Sequence, residues 1–375
     1  MAITKTAAGT YRVDFRDQTG KRLRKTFETL KEATAYNKQS HGDISKGDFV
    51  APSDITVKDI AEAWYKRKKD AGSYRYGTLH NWRIHIDKHV APNLGESRIQ
   101  AVSVEEIENA AAAWAKAASS KEANKILTTL SAIFKLAQRY GPLQGKANAA
   151  QLAERLKLSN EDAEVEEVLP DQVYSEGELK KLIQATEPGS FERALVMVPT
   201  FTGMRIGEVL GLTWPSVDFK AGVINVRLNL VVSEGDNGVE LKAPKSKKSR
   251  RILDMPRELA HELKLWKLKC PPSENGLVFT TLAGGFIHRK NAGEIFDQII
   301  DRANENGWEQ DQVKRLTFHK LRHTFASLLL SKGKDIAEVS RLLGHSDCAI
   351  TLKVYSHFVP RKTKTMQELA SSILS

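Results

Sequence analysis

Residues Leu342–Phe358 read LLGHSDCAITLKVYSHF. Just upstream, Asp335 is placed to cap a helix with Glu338 three residues on, and Ile336, Val339, Leu342 and Leu343 recur as one apolar stripe. Gly344 then predicts the helix end, and Ser346 is a candidate cap for a second helix carrying Tyr355. Tyr355 lies ten positions after His345. Three readings fit the stretch alone: a tyrosine that packs its ring in a core, a helix-turn-helix that reads DNA with Tyr355 as packing, or a reactive hydroxyl. Chemical partners elsewhere in the chain separate them.

Working outward, three more stretches carry chemistry. In TGMRIGEVLGL, Thr202-Gly203 breaks a helix and Arg205 opens the next; Glu208, three residues on, can hold the guanidinium, either as an ordinary surface ion pair or as support for a working arginine. In KAPKSKKSRR, residues 242–251, six of ten residues are basic. This run is either a solvated loop or a hairpin reaching a DNA groove. In TFHKLRHTFAS, His319 and Arg322 are three apart and share a helix face, bringing a proton-handling group and a phosphate fork toward one point. Together these groups form a metal-free toolkit for attack on a phosphodiester. Arginines neutralise the non-bridging oxygens, and a histidine assists a tyrosine that is a poor nucleophile at neutral pH. A lysine protonates the departing sugar oxygen. No Asp/Glu cluster suggests a two-metal nuclease and no GxxxxGK[ST] loop suggests ATP, so neither metal nor cofactor is expected.

The totals agree with a nucleic-acid partner. The chain has 375 residues, and 57 Lys+Arg against 46 Asp+Glu give a net charge of +11. Hydrophobic residues make up 41% and charged residues 27%, the profile of a soluble globular protein of two or three domains. Two cysteines without metal-ligand spacing fit a reduced cytosolic protein. The N-terminus lacks a signal-peptide core, and no apolar run is long enough to span a membrane.

Three regions follow along the chain, and the expected fold is multidomain, mainly α with small β-sheets. Residues 1–52 read as a small sheet plus a helix. Tyr11, Val13 and Phe15 alternate, a turn falls at Gln18-Thr19-Gly20, the basic strand KRLRKTF follows, and a helix starts near Thr29. Arg22, Arg24 and Lys25 on that strand are either DNA-backbone contacts or a solvated edge. Residues 53–160 are helical, about four helices with Ile60 and Trp64 on one apolar face. An acidic linker, 161–174, leads to a mixed α/β domain over 175–375 that includes a C-terminal tail. There GVINVRLNLVV alternates over its length and predicts one strand, and the basic run completes a hairpin or small sheet.

TGMRIGEVLGLTW, PKSKKSRRI, HKLRHTFAS and LLGHSDCAITLKVYSH, in this order between residues 175 and 360, resemble the four catalytic segments of the tyrosine recombinase (phage integrase) family. The resemblance implies that Arg205 and Arg322 are paired catalytic arginines, with Glu208 supporting the first. It makes Lys245 the hairpin lysine (Lys242, Lys247 and Lys248 lie close by), His319 and His345 the catalytic histidines, and Tyr355 the nucleophile. Lys247, Lys248 and Arg250 are further candidate DNA contacts. The helical region resembles the family's core-binding domain, and the first region its arm-binding domain, which favours an integrase. The implied reaction is strand exchange on double-stranded DNA at attachment sites, through a 3′-phosphotyrosyl link. It would be carried out by a homo-tetramer in the bacterial cytoplasm, on the nucleoid, integrating a phage or mobile element. A host DNA-bending protein and an excision factor are implied partners, and the tail is expected to dock on a neighbouring protomer. A type IB topoisomerase or a non-catalytic helix-turn-helix regulator are the alternatives.

Overall fold

The computed structural model describes residues 2–16, 20, 22–46, 52–157, 167–234, 238–244, 249–305, 312–345, 347–360, 371 and 373. The chain divides into two compact units, Met1–Ala163 and Glu164–Ser375. Among the described residues no helix is long and apolar enough to cross a membrane.

The first unit contains two separate cores. Strands β1 (Ala2–Lys5), β2 (Tyr11–Arg16) and β3 (Arg22–Phe27) form an antiparallel sheet in that order, covered by helix α1 (Leu30–Lys46). β1 was not anticipated from the sequence, because AITK is short and has little alternation. Period two turns Val13 and Phe15 inward onto Ala33 of α1. Arg24 lies opposite Asp14 in the register, and both Arg22 (2.6 Å) and Arg24 (3.1 Å) pair with that carboxylate. Lys25 lies 4.7 Å from the Tyr36 ring centre. All three basic residues of this strand are thus engaged by the sheet or its covering helix, although they stay exposed at the surface.

The second core is helical. Helix α2 (Val57–Asp70) starts at a reciprocal cap, Thr56 with Asp59, and buries Val57, Ile60, Ala61 and Trp64 along one stripe. Helix α3 (Tyr76–Ile84) runs through a π-turn, His85–Val90, into the short α4 (Ala91–Leu94). Helix α5 (Val104–Ala117), capped by Ser103 and Glu106, packs on the long α6 (Ser120–Tyr140), followed by the short α7 (Ala149–Leu152). Ile126, Leu130, Ile133 and Phe134 of α6 lie in the core.

The second unit begins with α8 (Glu176–Gln184), capped by Ser175 and Glu178, then α9 (Phe191–Thr202) and α10 (Ile206–Leu210). Strands β4 (Val217–Asp218), β5 (Val223–Val226) and β8 (Arg251–Asp254) make one antiparallel sheet. Strands β6 (Asn229–Val232) and β7 (Val239–Lys242) make another. The single strand expected over residues 222–232 is therefore two strands in two sheets. Arg227 and Leu228 form the joint, and two residues preserve the alternation, so Ile224, Val226 and Leu230 all remain buried. A change of pairing partner leaves no trace in that pattern. Helices α11 (Arg257–Lys269), α12 (Arg289–Asn304), α13 (Lys320–Ser331), α14 (Ile336–Leu343) and α15 (Cys348–Tyr355) complete the unit. α13, α14 and α15 enclose a small separate core of Ala326, Leu330, Val339, Leu343 and Tyr355, to which Val168 and Val173 also belong. There Val168 N–H donates to the Val354 carbonyl at 2.8 Å.

Candidate active site

The C-terminal end of α14 organises the site. Asp335 caps its start by accepting from Ala337 and Glu338 N–H, as the sequence indicated. At its end Gly344 has φ +67°, a left-handed conformation that Cβ-bearing residues disfavour. Gly344 N–H then donates to Arg341 O and His345 N–H to Ser340 O, a Schellman closure. That closure leaves the carbonyls of Leu342, Leu343 and Gly344 facing out of the helix end. Each is met by an arginine: Arg251 Nε donates to Leu342 O (2.6 Å), Arg322 Nη2 to Leu343 O (2.7 Å) and Arg205 Nη2 to Gly344 O (3.5 Å). Cations at a helix C-terminus also oppose its partial negative charge.

The three arginines come from three separate elements. Gly203, at φ +62°, ends α9 and lets the chain turn into Arg205, which precedes α10; a Cβ there would lie 2.4 Å from Phe325 Cδ1. Arg322 is on α13, only 3% exposed, and its Nη1 donates to Gly203 O at 2.7 Å. Arg251 opens β8. Glu208, 3% exposed, is no surface residue: it accepts from Arg205 (3.1 Å) and from Arg251 (2.9 and 3.2 Å). Burial alone would raise the Glu208 carboxyl pKa, but Arg251 and Arg205 hold it below the ordinary value. Removing one partner from so buried a pair costs about 3–5 kcal/mol. Burial, with Arg205 and Arg251 nearby, pulls Arg322 down to about 9. Three guanidinium groups thus gather around one buried carboxylate, which pairs with Arg205 and Arg251 while Arg322 is held by carbonyls, leaving a cationic pocket suited to a phosphate.

Beside it stand the histidines and the tyrosine. His345 Nδ1 lies 2.8 Å from Thr351 Oγ1, and burial with Arg322 and Arg205 lowers its pKa to about 4. Thr351 is one helical turn before Tyr355 on α15. The cap of α15 is Asp347, which accepts from Ala349 N–H; Ser346, the candidate cap, lies outside the described residues. Tyr355 is 1% exposed, and burial pushes its phenol up to about 12 while Arg322 and Arg205 draw it back. Its Oη is 2.8 Å from Nδ1 of His323, a residue the sequence reading did not single out. His319 is exposed at the start of α13, and its ring packs edge-on against that of His323, with centroids 4.9 Å apart.

The structure therefore gathers Arg205, Glu208, Arg322, His345 and Tyr355, with His319 at the margin. Lys245, Lys247 and Lys248 lie outside the described residues, as do Gln18 and Thr19 of the expected turn, residues 161–166 of the expected linker and most of the tail. Arg250 is exposed and lines a cleft with Arg251, Arg341, Gly344 and His345. Arg251 and His323 were both missed. Arg251 could have been found, since it lies in phase with the inward Leu253 on a strand whose Ile252 faces solvent. His323 sits one turn after His319, the spacing that places two rings side by side. Among the described residues no group of three His, Cys, Asp or Glu side chains is placed to hold a metal ion.

Comparison with known proteins gives concordant results. The model of the phage integrase family matches residues 172–361. A XerC-like tyrosine recombinase of Caldanaerobacter subterraneus is 28% identical, covering 94% of this chain and 93% of that protein. The ICEBs1 integrase of Bacillus subtilis is 24% identical over the full length of both. Among solved structures, the Tn1549 transposon integrase in complex with transposon right end DNA superposes with a TM-score of 0.66 at 19% identity, covering 86% of this chain and 100% of that one. A lambda integrase tetramer bound to a Holliday junction gives 0.56 at 18% identity, over 92% and 95%.

Proposed function

This chain belongs to the phage integrase family of tyrosine-type site-specific DNA recombinases, and from that premise we propose that it integrates a mobile element into a bacterial chromosome through a covalent link at Tyr355. The observation that carries this assignment is the cluster of Arg205, Arg251 and Arg322 on one helix end, directly followed by His345 and packed beside a buried tyrosine. A packing tyrosine or a DNA-reading helix pair has no use for three inward guanidinium groups beside it.

In the proposed reaction a backbone phosphate takes up guanidinium N–H donors of Arg205 and Arg322. Tyr355 Oη attacks phosphorus, forming an O–P bond and passing its proton to His319, while the bond from phosphorus to the 5′ oxygen breaks. The departing oxygen leaves as a hydroxyl, protonated by Lys245. The 5′-hydroxyl of a partner duplex reverses these steps. One phosphodiester replaces another, so bond energy is conserved in the phosphotyrosyl link. His345 and Thr351 fix the helix that carries the nucleophile.

Attachment-site duplexes are the proposed substrate and a tetramer the proposed assembly. The DNA-bound Tn1549 integrase and the lambda tetramer support both. Residues 1–52 are proposed as an arm-type DNA-binding domain, 53–160 as the core-binding domain and 175–375 as the catalytic domain. A host DNA-bending protein and an excision factor remain proposed partners, with the protein acting in the cytoplasm on nucleoid DNA. The test is covalent trapping on a nicked duplex carrying the attachment core. Wild type is expected to give an SDS-stable protein–DNA adduct and Tyr355→Phe none; no adduct from wild type overturns the assignment. Exchange between two duplexes, and not mere relaxation of supercoils, separates a recombinase from a topoisomerase.

A further inference from the structure

The hydroxyl of Tyr355, the proposed nucleophile, is bonded to neither His345 nor His319, the two expected catalytic histidines. His345 is occupied with Thr351, and His319 is exposed, reaching His323 by its ring. The group at hydrogen-bond distance from Oη is His323 Nδ1, at 2.8 Å, with ring centres 5.7 Å apart. We propose that His323 is a further site residue, which accepts the Tyr355 hydrogen bond and thereby aims Oη, resting on the reading of Tyr355 as nucleophile.

Two features of the surroundings favour acceptance by the imidazole. Burial and the neighbouring His319, Lys320 and Arg322 hold His323 down to about 3, so it is neutral. A neutral imidazole offers one bare nitrogen, and Tyr355, pushed up to about 12, keeps its proton to donate. The bond also ties two elements together: His323 is next to Arg322 on α13, and Tyr355 closes α15. Because Arg322 is anchored to Gly203 and Leu343 carbonyls, the ring beside it is a fixed reference for Oη. So weak a base is an orienting acceptor and leaves the role of proton carrier to other groups. Misplacing a reacting atom by about 1 Å can cost about 100-fold in rate, which sets the scale of the effect.

The experiment is single-turnover cleavage of the nicked duplex by the full chain, read alongside DNA affinity. His323→Phe keeps a ring but has no acceptor, and is expected to cleave about 10- to 100-fold more slowly with unchanged affinity. His323→Asn places an amide oxygen near the Nδ1 position, accepts a hydrogen bond but takes up no proton, and is expected to recover most of the rate. A purely structural role gives no such split between Phe and Asn. Equal rates for Phe and wild type overturn the proposal, and so does an Asn variant as slow as Phe. If wild type forms no adduct at all, the nucleophile assignment fails and this inference with it; an active wild type with an indifferent His323 sinks the inference alone.

Discussion

His345 and His323 sit among cations, and their imidazoles are held at about 4 and about 3, far below the ordinary 6.5. The unfolded chain therefore binds more protons than the folded one once the pH drops under about 6.5, and stability rises with pH across that window. Full stability from these two residues is present above about 6.5 and is lost as the pH falls toward 4. Glu208, whose carboxyl is also held down, adds a loss of the same sign at the acid end of that range. The expected outcome is a melting temperature that falls steadily as buffers go from about pH 7 to about pH 4.5, with a shallower fall in His345→Gln. Thermal melts followed by circular dichroism check it; an equally steep fall in the variant shows that the imidazole is not responsible.

At the level of elements, the site depends on how helices end. Gly203 and Gly344 both take left-handed backbone, and the first also offers its carbonyl to Arg322. Gly203→Ala is expected to cost about 1–2 kcal/mol from the backbone alone, and more because its Cβ would press on Phe325. Cleavage should suffer beyond the loss of stability, since a shifted backbone at residue 203 displaces one of the two carbonyls that hold Arg322. A lowered melting temperature and a slower single-turnover rate at a temperature where the variant is folded are the two readings. Helix ends are also where the sequence was most legible. Asp335 and Gly344 announced the limits of α14 because capping is local chemistry written in a few neighbouring residues. The break between β5 and β6 was not legible, since strand partners are chosen by tertiary packing and the alternation ran on through Arg227 and Leu228. Arg205, Arg322, His345 and Tyr355 could be listed as candidates from spacing, but the buried pairing of Glu208 with Arg251 depends on a strand brought in from elsewhere.

Over the whole molecule the excess of 57 Lys+Arg over 46 Asp+Glu anticipates binding to DNA that weakens steeply with salt. Between about 50 and about 200 mM salt, affinity is expected to drop by about 1,000-fold or more if six or more phosphates are contacted. Fluorescence anisotropy titrations check this, and a flat response would mean that the basic surfaces are not the DNA footprint. The arginine cluster adds a consequence of another kind. Arg322 has already been stripped of water and seated on carbonyl oxygens when the chain folds. A phosphate reaching it takes up guanidinium N–H donors other than the two that Gly203 and Leu343 hold, as an added ligand fills an open position on a metal ion. Dehydration of that cation is thus settled once in the lifetime of the fold, and each arriving strand has chiefly its own hydration shell to shed.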